Sequence, residues 1–155
     1  MSKTQVQRVG SYAFITAEGH CLLSLLNRGP NRGKWTLVGG GVDFGESPKE
    51  ALKREIFEEA GIVTEVEAQL LDVFSHDHEF TLPDGTIKYM HFIGVVHTLE
   101  LAAMLPCKAD ADGSSSDGTR WFKISELNAA ELNPSVLKVL KILAYDLQAF
   151  TKTNP

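Results

Sequence analysis

Cysteine is nearly absent from this 155-residue chain: only Cys21 and Cys107 occur, and there is no Cys-x-x-Cys. Two thiols are too few for a disulfide framework. Long apolar runs are missing as well. The densest, residues 21–26 and 92–96, fall far short of the ~20 residues that a membrane helix needs. Residues 1–8 are polar and lack the apolar centre of a signal peptide. There is no surplus of positive charge: 15 Lys and Arg stand against 20 Asp and Glu, a net charge of −5. That balance argues against duplex nucleic acid held on a broad basic surface. Repeats, linkers and low-complexity tracts are absent beyond residues 114–116. What is present, 43% apolar and 23% charged residues, is the composition of an ordinary globular protein. The expectation is one soluble, cytoplasmic domain spanning residues 1–155.

The charge is concentrated. Residues 40–62 carry six acids (Asp43, Glu46, Glu50, Glu55, Glu58, Glu59) and three bases (Lys49, Lys53, Arg54). This segment also holds the clearest helix signal in the chain. Ser47 is a natural N-cap, Pro48 suits the first helical position, and Glu50 completes a Ser-x-x-Glu capping box. Gly61 supplies the left-handed stop after Ala60. At about 100° per residue, Glu55, Glu58 and Glu59 share one face above the small Ala51. Leu52, Ile56, Phe57 and Ala60 are expected to form the core-facing stripe. The glycine run Gly39-Gly40-Gly41 just before the helix lets backbone approach a ligand closely and offers carbonyls as ligands. Three glutamates on one face are either a solvated surface with Glu50–Arg54 and Arg54–Glu58 ion pairs, or the oxygen ligands of a hard divalent cation.

Elsewhere the pattern alternates strands and turns. Strands are expected over residues 6–17 and 21–26 as a hairpin, at 35–38, 65–74, 75–81 and 87–100, and at 119–124. Leu82-Pro83-Asp84-Gly85 is a turn, and residues 27–34 and 105–118 are loops by composition. Asn133-Pro134 opens a terminal helix with apolar Val136, Leu140, Leu143, Leu147 and Phe150 at helical spacing. The reading is α/β with a mixed sheet.

Gly40, five residues, Glu46, seven residues, then Arg54-Glu55-Ile56-Phe57-Glu58-Glu59-Ala60-Gly61-Ile62 fills every fixed position of the Nudix box, so the chain resembles the Nudix hydrolases. Trp35 ahead of the glycines and Trp121-Phe122 near the last strand also look like the family. Val38 departs from it, standing where many members have Pro. The resemblance implies an α/β/α sandwich with a mixed β-sheet between helices. It also implies Mg²⁺- or Mn²⁺-dependent hydrolysis of a nucleoside diphosphate linked to another group: a nucleotide sugar, ADP-ribose, a dinucleoside polyphosphate or a nucleoside triphosphate. On the same ground, Glu55, Glu58, Glu59 and the Gly40 carbonyl would hold metal. Arg54 would orient a neighbouring carboxylate, and Glu46 would support the loop. The general base would be Glu55 or an acid in the late loop. Homodimers are common in the family. Elementary chemistry agrees with the class, because a polyphosphate must be screened before water can attack phosphorus.

Outside the box, Arg28, Arg32 and Lys34 could grip phosphate or form an exposed basic loop. Asp110, Asp112 and Asp117 lie in the late stretch, with Asp117 the preferred substrate-side acid. His76-Asp77-His78-Glu79 lacks the further ligands of a zinc site and reads as pocket wall or exposed hairpin. His91 and His97 read as structural, and Trp35 and Phe74 as core rather than base-stacking groups. Three other functions compete: a nucleotide-binding regulatory domain without turnover, an isoprenoid diphosphate isomerase that would need Cys21 or Cys107 as its catalytic thiol, and RNA cap removal. The regulatory reading would show losses among the glutamates, and none is lost. Cap removal would want a basic track that the sequence does not show.

Overall fold

The computed structural model describes residues 3–109 and 116–146. Seven strands form one mixed sheet: β1 (Lys3–Ala17), β2 (His20–Leu26), β3 (Trp35–Thr36), β4 (Val38–Gly41), β5 (Gln69–Thr81), β6 (Ile87–Glu100) and β7 (Ser116–Lys123). Helix α1 (Pro48–Ala60) lies between β4 and β5, and α2 (Pro134–Ile142) closes the described chain. The main path is β3-β2-β1-β6-β5, with β4 added to β1 and β7 to β2. The β1–β6 pair is parallel and the other strand pairs are antiparallel.

Along one edge, β1 is parallel to β6 from Lys3 to Thr16. Along the other it changes partner: Gly10–Ala13 pair with β4, and Ile15–Ala17 pair with β2. The sheet therefore forks at the glycine run, and this fork positions the site.

Alternating apolar residues feed two cores, one on each face. Ala13, Ile15, Leu22 and Val38 pack with Leu52, Ile56 and Ala60 of α1. Phe14, Leu23 and Leu37 pack with Val136, Val139 and Leu140 of α2. This is the expected α/β/α arrangement. No helix among the described residues is long and apolar enough to cross a membrane.

Several expectations are corrected. Phe57 is 57% exposed and does not join the core stripe, because it lies on the side of α1 turned away from the sheet. Residues 65–81 are not two strands. Residues 61–68 lack regular structure, and β5 runs unbroken from Gln69, whose partner Thr98 lies near the end of β6. The strand expected over residues 35–38 is split in two, since β3 pairs with β2 while β4 pairs with β1. The last strand begins at Ser116, which pairs with Leu26 and shares a 2.6 Å hydroxyl contact with Ser24. Asp117 is thus a strand residue. Helix α2 ends at Ile142, where Leu143 is the cap and Ala144 turns left-handed (φ 61°). Leu147 and Phe150 lie outside the described residues, as do Asp110 and Asp112.

One connection ties the late chain to the acidic helix. Helix α1 has no basic residue in its last turn. Lys108 supplies one instead: its backbone N–H donates to the Ala60 carbonyl (2.9 Å) and its ammonium to the Glu58 carbonyl (3.3 Å). The Lys108 carbonyl accepts from both the N–H and the hydroxyl of Thr119 in β7, each at 2.8 Å.

Candidate active site

The acidic helix starts as its sequence dictates. The Ser47 hydroxyl accepts from the Glu50 N–H, and the Glu50 carboxylate accepts from the Ser47 N–H at 2.7 Å. Glu50 is therefore spent on the cap, and the Glu50–Arg54 pair expected of a solvated face does not form. The Ser11 hydroxyl of β1 donates to the Pro48 carbonyl (2.6 Å) and fixes the helix start against the sheet.

Arg54 organises the corner. Its guanidinium donates twice to Glu46 (2.6 and 3.2 Å), to Glu55 (2.9 Å), to Glu58 (3.2 Å) and to the Gly41 carbonyl (2.9 Å). Asp43 approaches it at 3.5 Å. The bidentate fork to Glu46 is the strongest geometry available to such a pair. It holds the Glu46 carboxyl below the usual carboxylate range and raises the guanidinium. Glu46 also accepts from the Asp43 N–H at 2.7 Å, which pins the turn between β4 and α1.

Glu55 is pressed onto the glycine run. A Cβ on Gly40 would stand 2.5–2.6 Å from the Glu55 carboxyl, so a side chain there would displace that carboxyl. Burial pushes the Glu55 carboxyl above the usual range, against the pull of Arg54. Glu59 is buried, and one of its oxygens accepts from the Gly39 N–H at 3.1 Å. Gly39 itself lies at φ 149° with Ser11 and Tyr12 so close that no side chain could be accommodated. The phenol of Tyr12, partly buried, is pushed up to about 12, first by that burial and then by Glu59 and Glu55.

The three glutamates share one side of α1, but their carboxylates do not converge. Arg54 takes Glu55 and Glu58, while Gly39 takes Glu59. No three His, Cys, Asp or Glu side chains among the described residues surround a common point. The donor set nevertheless suits a hard divalent cation. Four carboxylates (Asp43, Glu46, Glu55, Glu58) crowd one guanidinium, Glu59 stands beside them on the Gly39 N–H, all these ligand atoms are oxygen, and the Glu58 side chain is 50% exposed.

The remaining candidates are placed apart from this corner. Arg28 and Arg32 are exposed in the 27–34 loop, which is closed by Gly33 N–H to the Leu26 carbonyl at 2.8 Å. Asp117 accepts from the Asn27 amide at 3.1 Å and so stands at the mouth of that loop. His76 and His78 stack on Phe92 in the β5–β6 hairpin (ring centroids 5.3 and 6.4 Å), and no metal cluster forms there among the described residues. His91 bridges Gln7 and Ser75 across three strands, and buried His97 contacts the Tyr12 carbonyl. Phe74 is buried. Trp35 packs edge-on to Phe122 (4.7 Å), and the Arg120 guanidinium lies over both rings. Sequence reasoning missed Tyr12. The available signal was Gly10 inside a strand, which marks a close approach by some other group.

Comparison with known proteins identifies the family. Residues 6–142 match the family model described as NUDIX domain. A nucleoside triphosphatase NudI of Escherichia coli O139:H28 is 32% identical over 142 residues, covering 88% of this chain and 96% of that protein. An oxidized purine nucleoside triphosphate hydrolase of Danio rerio is 26% identical over 120 residues, covering 76% and 67%. Among solved structures, a MutT NUDIX hydrolase from Burkholderia pseudomallei superposes with a TM-score of 0.69 at 30% identity, covering 90% of this chain and 99% of that one. With its box complete and its domain matched from residue 6 to residue 142, the chain belongs to the Nudix family of hydrolases.

Proposed function

We propose that this hydrolase is a pyrophosphohydrolase of nucleoside triphosphates, dependent on Mg²⁺ or Mn²⁺ and acting on the cytoplasmic nucleotide pool. The observation that carries the reading is the corner in which Arg54 and the Gly39–Gly41 backbone hold Glu46, Glu55, Glu58 and Glu59 together. The nucleoside triphosphate class is supported by the names of the two relatives above, one of them matched over nearly its whole length.

Glu55, Glu58, Glu59 and the Gly40 carbonyl would hold the cation. Its chemistry there is to screen the polyphosphate so that water can attack phosphorus. Glu55, lifted by burial yet oriented by Arg54, is suited to receive the proton of that water. Glu46 works through Arg54, fixing the guanidinium that in turn fixes Glu55. Arg28 and Arg32 offer cations for the phosphate chain, and Asp117 offers an acid anchored by Asn27.

The isomerase alternative loses its thiol. Cys21 is buried in the α2-side core, where burial pushes the thiol up to about 12. Cys107 packs on the α1 side and its sulfur is directed at the Thr119 carbonyl. A hydrolysis panel over nucleoside triphosphates, nucleotide sugars, ADP-ribose and dinucleoside polyphosphates tests the reading. Release of pyrophosphate and a nucleoside monophosphate, abolished by EDTA and restored by Mg²⁺, is the expected result. Turnover confined to the other classes, or full turnover in a metal-stripped sample, overturns it.

A further inference from the structure

Tyr12 lies in an unusual posture. Three glycines on three neighbouring strands surround its ring: Gly10 of β1, Gly39 of β4 and Gly94 of β6. A Cβ on Gly10 would stand 2.5–2.9 Å from the outer ring atoms and the phenol oxygen. One on Gly39 would stand 2.9 Å from the near edge, and one on Gly94 would touch the other edge at 3.7 Å. Gly10 and Gly94 are direct partners in the β1–β6 ladder, and Gly39 is the partner of Tyr12 itself. Together they clear a bed in the sheet, and the ring lies along it instead of standing upright as strand side chains ordinarily do.

What the ring adjoins gives it a use. On one side, Glu55 and Glu59 are near enough to act on the phenol, and Arg8, four residues back on the same strand face, acts on it with the opposite sign. On the other side, the same sheet face continues through Phe74 to the stack of Phe92 and His76. Tyr12 is only partly buried, and no buried side-chain polar atom among the described residues lacks a partner, so the phenol oxygen, which no described group holds, is open to solvent and to a ligand. A ligand whose phosphates sit at the acidic corner and whose remainder extends over this face must cross Tyr12.

We propose that Tyr12, laid flat on the Gly10–Gly39–Gly94 bed, is a specificity-determining residue. Its ring carries the nucleoside end of the substrate, and its hydroxyl donates to an oxygen of that substrate beside the acidic corner. This rests on the nucleotide-hydrolase reading and extends it to a named contact.

Three variants test it, with kcat and KM measured separately on whichever nucleotide the hydrolysis panel identifies. Tyr12→Ala removes the floor, Tyr12→Phe removes only the hydroxyl, and Gly10→Ala pushes the ring and its hydroxyl off the bed without removing any polar group. The expected result is a rise in KM of roughly tenfold for Tyr12→Ala and Gly10→Ala, and about threefold to fivefold for Tyr12→Phe, with kcat within about threefold of wild type. Unchanged KM in Tyr12→Phe and Gly10→Ala overturns the proposal, as does a fall in kcat at constant KM, which would make Tyr12 a support of the acidic corner. Should Tyr12→Ala fail to fold by circular dichroism, the other two variants still decide. A panel in which another nucleotide class is cleaved defeats the triphosphate reading alone, and the same variants are then read on that class.

Discussion

Two ends of the same sheet solve opposite problems. At the fork between β4 and β1, four carboxylates are gathered around one guanidinium with Glu59 beside them on the Gly39 N–H, and nearly every hydrogen bond there is charge-assisted. At the far end of β1, β5 and β6, the sheet runs out past both cores, with exposed residues over 3–5 and 7–9 and a ring stack of His76, His78, Phe80 and Phe92. The first region is held together although its charges repel, by one arginine and a capped helix. The second is held mainly by backbone pairing and ring contacts. A site for a polyphosphate needs the first kind, because the repulsion left over is what a cation relieves.

Breaking the acidic corner should have the largest effect. Glu59→Gln and Glu55→Gln are each expected to lower kcat by roughly 10²–10⁴-fold, the range for loss of a base or ligand. Steady-state kinetics at saturating Mg²⁺ checks this, and near-intact catalysis would make the cluster structural. Next comes the arginine. Arg54→Met strands Glu46, Glu55 and Glu58 without their common donor. It should cost about 2 kcal/mol of stability, less than a fully buried pair because the side chain is 29% exposed. Urea denaturation of the metal-free protein measures it.

A smaller effect sharpens the contrast through pH. The Glu55 carboxyl is raised in the folded state, so the folded protein binds its proton more tightly than the unfolded chain does. Stability therefore falls as pH rises through the window from the ordinary carboxylate value to the raised one, and the deficit is complete above it. Glu55→Gln should accordingly raise the metal-free thermal midpoint at pH 7 and lose that advantage at pH near 4. Glu46 works in the reverse sense, since its carboxyl is lowered, and stability linked to it is lost as the pH falls through its folded-state value. In the ring-stacked region the effect should be smallest: His76→Ala is expected to cost about 0.5 kcal/mol and to leave kcat unaltered. A kcat loss there would show the hairpin reaching into the chemistry.

The same two regions differ in how far sequence exposed them. The capping box, Pro48, Gly61 and the acidic face of α1 are local signals, each decided within a few residues, and the helix spans the residues they mark. The bounds of β5 and β7 are decided by partners far along the chain. Gln69 starts its strand where Thr98 is available, and Ser116 joins one because Leu26 and Ser24 receive it. Composition alone could not place Asp117 in a strand beside Asn27. Phe57 misled for a related reason: its angle on the helix wheel sits at the margin of the apolar arc, and the sheet covers only the middle of that arc. Tyr12 was hidden because its role depends on three glycines that meet only in the folded sheet.

The Lys108 tie has a consequence for how this scaffold can change. Lys108 is fastened both to the end of α1 and to Thr119, so the helix that carries Glu55, Glu58 and Glu59 and the strand β7 share one set of contacts. A substitution at Lys108 or Thr119 is therefore felt on the acidic helix as well as in the sheet. That helix is moored at both ends, by Ser47 and Ser11 at its start and by Lys108 at its finish, and its carboxylates can trade partners while their backbone stays in place.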